Sequence, residues 1–185
     1  AIGVDGRIAF DALTYWTDEL SLPAAVDLEV DGRDGRAVAR GGAGQLIPGF
    51  LGGAKSIGDG NSATTRTVFT ESAAGTTLID LSVTNAAIVQ ADLSAATLAE
   101  AEDLVRWLRG QDVDDQDVDS DVTEARDWIM GPPLHSRPLP INFGARAAGY
   151  TVNNPDIRIY MGSDDGFMHS FRNTDALGGE SGEED

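Results

Sequence analysis

The 185-residue sequence contains no cysteine, which excludes disulfides and thiolate metal sites. An extracellular chain of this kind must be held by its core, by metal or by neighbours. Aromatic residues are scarce at 6%, so a core must rest on Val, Ile, Leu and Ala within a hydrophobic content of 41%. Bases are scarce as well. Thirteen Lys and Arg face 31 Asp and Glu, a formal net charge of -18, and Lys55 is the one lysine. Such a surface repels nucleic acid and anionic lipid, both of which need basic patches. It favours cations, basic partners or high salt. No apolar run approaches the roughly 20 residues of a membrane-spanning helix, and no signal peptide is visible. The chain opens on Ala1 rather than Met, which reads as processing or excision from a longer product. Its length fits one ordinary domain, or a small domain plus part of a second.

What is present is mostly strand and turn signal. Alternating segments flank Asp31-Gly32 and Asp34-Gly35 and read as a hairpin. Residues 41–63 are glycine-rich and read as loop. "TRTVFT" (65–70) and "TTLIDLSV" (76–83) are β-branched and alternating, so two strands are predicted around a turn at Ala73–Gly75. One helix stands out. Thr97 and Glu100 form a capping-box pair, and Leu98, Ala101, Leu104, Val105 and Leu108 make one apolar stripe. Arg106 and Arg109 suit the negative end of the helix dipole, and Gly110 suits its stop. "PPLHSRPLPINFG" (132–144) is extended, because proline disfavours helix at the residue before it. "IRIYMG" and "FMHSFR" bracket Asp165-Gly166 as a second hairpin. After Asn173 the sequence has little apolar content and high charge, and disorder is expected.

The candidate for chemistry is "GQDVDDQDVDSD" (110–121), with six Asp among twelve residues. A calcium loop of the EF-hand type takes ligands at positions 1, 3, 5, 7, 9 and 12. Counted from Asp115, the first four of these are Asp115, Asp117, Asp119 and Asp121. Position 6 should be Gly and is Ser120; position 12 should be Glu and is Arg126. Glu124 and Asp127 lie near enough to close a non-standard loop. The frame from Asp112 fits less well, with Gln116 and Thr123 at positions 5 and 12. Two readings stay open: a calcium site at Asp115, Asp117, Asp119, Asp121 and Glu124, or a solvated acidic loop relieved by Arg109 and Arg126. Crowded carboxylates repel one another, which favours a counter-ion if the loop is ordered.

Other signals read as structure rather than chemistry. "GFLGGAKS" (49–56) misses the phosphate-loop pattern because Ala54 replaces its second Gly, and the residues after it are loop-like. His135 and His169 are the only histidines. His169 lies on a strand and is expected to be buried beside a hydrogen-bond partner; His135 is expected to bond backbone. No nucleophile–base–acid set is apparent, and an enzyme is not expected.

"IYMGSDDGFMHSFRN" (159–173) resembles a β-propeller blade motif, shared by quinoprotein dehydrogenases and outer-membrane assembly scaffolds. A more specific resemblance comes from the order of segments. A helix ending "VRWLRGQDVDD" precedes an Asp-rich stretch, then "GPPLHSRP", then "YMGSDDGFMHSF". Upstream stand "TYWTDEL", "ARGGAGQLI" and "TTRTVFT". This order is similar to the C-terminal region of PilY-type proteins, type IV pilus tip-associated adhesins and assembly factors, over roughly residues 10–172. The family usually has Gly-Asp where Pro132-Pro133 follow Gly131 here. The resemblance implies a non-enzymatic pilus tip protein at the cell surface, exported through the periplasm. Minor pilins and a host or surface ligand would be its partners. It implies a mainly β fold with one clear α-helix: a β-rich α+β lead-in (1–92), the helix and Asp-rich loop (93–131), a first propeller blade (132–173) and an acidic tail (174–185). A fragment of a pyrroloquinoline quinone dehydrogenase propeller, or a scaffold pairing strands with partner chains, is the alternative. The family's known calcium loop is not among these residues, so calcium here rests on the Asp spacing.

Overall fold

The computed structural model describes residues 4–7, 47, 66–72, 74–116, 118, 120–123, 125–126, 129–179, 181–182 and 184. The hairpin expected around Asp31–Gly35 and the glycine-rich "GFLGGAKS" lie outside these residues. The chain forms two compact units, residues 48–129 and residues 1–47 with 130–185. Among the described residues the fold is mixed α+β, with two α-helices and five strands in two small antiparallel sheets.

In the unit of residues 48–129, β1 (Phe69–Glu71) pairs antiparallel with β2 (Leu78–Asp80) in the register Phe69↔Asp80. The turn closes where the Gly75 amide donates to the Ser72 carbonyl at 2.7 Å. A 3-10 turn (Val83–Asn85) then runs into α1 (Ala86–Val89). These two were not anticipated, since four helical residues are too short to show a 3.6-residue period. The long helix, α2 (Leu98–Arg109), has the expected ends. Thr97 Oγ1 accepts from the Glu100 amide at 3.1 Å. Glu100 reaches back one residue further than a capping box does, taking the Ala96 amide at 2.7 Å. At the other end Gly110 is left-handed, with φ at 109°, and the Gln111 amide returns to the Arg106 carbonyl at 3.0 Å. A Cβ at Gly110 would stand 2.9 Å from the Ile129 side chain, so both conformation and space require glycine.

The apolar stripe of α2 packs as its spacing implies. Ala101 and Val105 are fully buried, and Val68, Leu81, Ala86, Val89 and Ile129 are buried in the same unit. Each large aliphatic side chain buried this way stabilises by about 1.5–3 kcal/mol. Among the described residues, two buried arginines tie this core further. Arg109 is 1% exposed and donates through Nη1 to the Leu81 carbonyl at 2.9 Å and through Nη2 to the Arg66 carbonyl. Arg66 answers, giving Nη1 to the Arg109 carbonyl at 3.0 Å. That cation meets the negative end of the α2 dipole. Arg109, expected to suit the helix dipole and to relieve the acidic loop, is a buried strut between helix and hairpin.

In the other unit, β3 (Leu139–Asn142), β4 (Ile157–Gly162) and β5 (Met168–Arg172) form an antiparallel meander in that order. Its registers are Leu139↔Tyr160 and Ile159↔Phe171. The extended reading of 132–144 thus contains a paired strand. β4 and β5 are joined through Asp165-Gly166, with Gly166 left-handed at φ 89°. Phe171 and His169 are buried on one face of β5, their rings stacked at 5.8 Å. Disorder was expected after Asn173, yet described residues there pair with β5. Glu184 bridges to Phe171, and the Gly182 amide donates to the Arg172 carbonyl at 2.7 Å. Composition missed this because backbone pairing and the Glu184 carboxylate, held on His169, replace apolar contacts.

Candidate functional site

The β4–β5 turn gathers the densest polar cluster among the described side chains. His169, 2% exposed, sits at its centre. Its Nδ1 lies 2.6 Å from Glu184 Oε1, and its Nε2 lies 3.0 Å from Ser163 Oγ. Serine, histidine and glutamate in line have the order of a nucleophile, base and orienting acid. A fourth group joins them. Ser163 Oγ also donates to Asp165 Oδ1, and the Phe167 carbonyl stands 3.4 Å from the same hydroxyl as a second acceptor. Glu184 and Ser163 thus hold the two ring nitrogens of His169, one on each side. The set fastens the turn and Glu184 to β5.

Asp165 extends the fastening. Its Oδ2 accepts the Gly131 amide at 2.8 Å, and its Oδ1 also accepts the Phe167 amide at 3.3 Å. Burial pushes this carboxyl up, but the Ser163 hydroxyl, the Gly131 and Phe167 amides and the nearby charge of His169 outweigh it. The group is held below the usual aspartate range. A Cβ at Gly131 would come within 3.0 Å of the Asp165 backbone nitrogen, so Gly131 is needed for this approach. Ser136, next to His135, braces the same hairpin: its Oγ accepts the Gly162 amide at 2.9 Å. The backbone contact expected of His135 is thus made by its neighbour, and His135 itself is exposed.

The Asp-rich segment is a loop closed at its base. Gln111 bridges to Ala125, the Arg126 amide donates to the Gly110 carbonyl at 2.8 Å, and Gln111 Nε2 donates to the Val122 carbonyl at 2.7 Å. Asp115 is left-handed at φ 50°, and its carboxylate accepts the Ser120 amide at 3.0 Å. Asp121 accepts from the Thr123 hydroxyl at 2.6 Å and amide at 2.9 Å, contacts that lower its pKa although it is exposed. Asp117, Asp119 and Glu124 lie outside the described residues. Arg126 is buried with its guanidinium 3.8 Å over the Trp107 ring.

Spacing did not single out Asp112, yet it is the buried acid of this loop, 3% exposed. Its Oδ2 accepts the Gln116 amide at 2.7 Å, and its Oδ1 has no hydrogen-bond partner. An unsatisfied buried carboxylate oxygen is costly, and a hard cation would satisfy it. Among the described residues, no three Asp, Glu, His or Cys side chains converge to hold a metal. Calcium prefers six to eight oxygens, so Asp112 and Asp115 could supply only part of a shell.

No family model matches the chain, and no curated protein or solved structure matches it.

Asp165 generates a pH dependence with a definite sign. A carboxyl held low in the folded state contributes stability above its unfolded pKa of about 3.9 and loses it as pH falls through the folded value. Asp165→Asn should lower the urea midpoint at pH 7, and the deficit relative to wild type should shrink below about pH 4. An equal deficit at pH 7 and pH 3 would show that the charge of Asp165 contributes nothing.

Proposed function

We propose that the chain serves as a non-enzymatic component of type IV pilus biogenesis and adhesion, at the cell surface at the pilus tip, resembling the PilY type. The observation that carries this reading is the antiparallel β3–β4–β5 meander, with the Gly182 amide and an isolated bridge at Glu184 on the outer side of β5. A propeller blade is a four-stranded sheet, and this meander supplies three strands in sequence order. The hairpin that resembles the family's blade motif forms its β4–β5 half.

One blade cannot close a ring, since propellers contain about four to eight. Among the described residues, no strand pairs with the outer edge of β3. Under this reading, further blades or partner strands cover that edge, with minor pilins as the partners at the tip. Deleting the gene in its parent bacterium should abolish or sharply reduce surface pili and surface motility. Re-expression of the full-length product should restore both. Normal piliation in the deletion strain, counted by electron microscopy, would refute the proposal.

Calcium at the Asp-rich loop is part of the same reading, supported by the unsatisfied Oδ1 of Asp112 and by the spacing of Asp115 and Asp121. Added calcium should raise the melting temperature of the protein, and Asp112→Asn together with Asp115→Asn should remove the rise. A melting temperature that calcium leaves unmoved eliminates the metal but leaves the pilus role standing.

A further inference from the structure

A cavity of about 340 Å3 opens on the sheet face opposite His169 and Phe171. Phe143, Arg146, Asp156, Arg158, Tyr160 and Ser170 line it. The register explains how the sheet builds it. Tyr160 on β4 stands opposite Ser170 on β5, and Arg158 stands opposite Arg172, all four on one face. Asp156 is buried and grips Arg158 at two points, with Oδ1 2.6 Å from Nε and Oδ2 3.5 Å from Nη2. This grip aims the guanidinium along the cavity wall. Arg146 is different. It is exposed, its guanidinium carbon lies 5.7 Å from the Phe143 ring centre, and it makes no ion pair among the described residues. The hydroxyls of Tyr160 and Ser170 likewise make no hydrogen bond there.

Asp156 neutralises Arg158, so the charge this cavity offers a ligand is that of Arg146. One cation suits an anion of low charge. A long polyanion would also extend over the acidic surface of a chain with net charge -18, whereas a small monoanion stays within the screening length of about 8 Å at physiological salt. The volume lies near the lower end of ligand cavities, about 300–1,000 Å3, and so fits a ligand of one small ring. Two unpaired hydroxyls and the Asp156 carboxylate suit a ligand rich in hydroxyl groups. The Phe143 and Tyr160 rings suit the flat C–H face of a pyranose. Arg146 suits a carboxylate.

We propose that this cavity binds a carboxylated monosaccharide of the uronic acid class, with its carboxylate on Arg146 and its hydroxyls on Tyr160 and Ser170. The cavity depends on its own residues and stands whether or not the protein serves at a pilus. The probes are D-glucuronate, D-glucose and acetate, titrated into the full chain by calorimetry with ligand-observed NMR. Glucuronate should bind at least about tenfold tighter than either of the others, because only it fills both the charged and the hydroxyl positions. Arg146→Ala should weaken glucuronate about tenfold and leave glucose unchanged, while Tyr160→Phe should weaken both sugars. Arg146 is exposed, so an unchanged far-ultraviolet spectrum will confirm that its variant is folded. Glucuronate binding no tighter than glucose, acetate matching glucuronate, or an Arg146→Ala variant with full glucuronate affinity would each overturn the proposal.

Discussion

Burial of guanidinium and imidazole nitrogens is the constraint around which both units are arranged. Cations are scarce in this chain, and removing one from water is unfavourable unless hydrogen bonds replace its hydration. Arg66, Arg109 and Arg126 are nonetheless buried, as is the His169 ring. In the 48–129 unit, Arg66 and Arg109 exchange guanidinium contacts with each other's carbonyls and reach Leu81. They tie the end of α2 to the hairpin. In the other unit His169 joins a turn, a strand and the chain end through Ser163 and Glu184. Such pairs make poor net contributions when compared with a well-packed apolar core, but losing one partner leaves a buried charge exposed to its full desolvation cost. Their value here is that they fix one arrangement.

Much of this was legible in the sequence where local chemistry decides local structure. Thr97, Glu100 and Gly110 marked both ends of α2, because caps act within a turn of the residues they satisfy. Asp165-Gly166 marked the β4–β5 hairpin for the same reason. α1 was too short to carry a period. The fate of Arg109 was hidden because a position in the last helical turn does not reveal whether a neighbouring hairpin will cover it. Glu184 was hidden more deeply. An acidic, glycine-rich end has the composition of disorder, and composition does not show that a buried nitrogen of His169, fifteen residues earlier, gives that carboxylate a place.

The Asp-rich loop shows the same limit. Counting positions against a calcium loop favoured Asp115, Asp117, Asp119 and Asp121. Burial points to Asp112, which the best frame leaves out. Spacing describes which ligands can reach a common point; it does not describe which oxygen has lost its water. Asp115, half-buried, turns its carboxylate onto the Ser120 amide within the loop.

The central claim is that His169 and Glu184 hold the chain end on β5. Amide hydrogen exchange tests it most directly, read at Gly182, whose N–H donates to the Arg172 carbonyl. In His169→Gln, Gly182 should exchange faster by about tenfold or more, while the amides paired between β3 and β4 keep their protection. Unchanged protection of Gly182 in that variant would contradict the account.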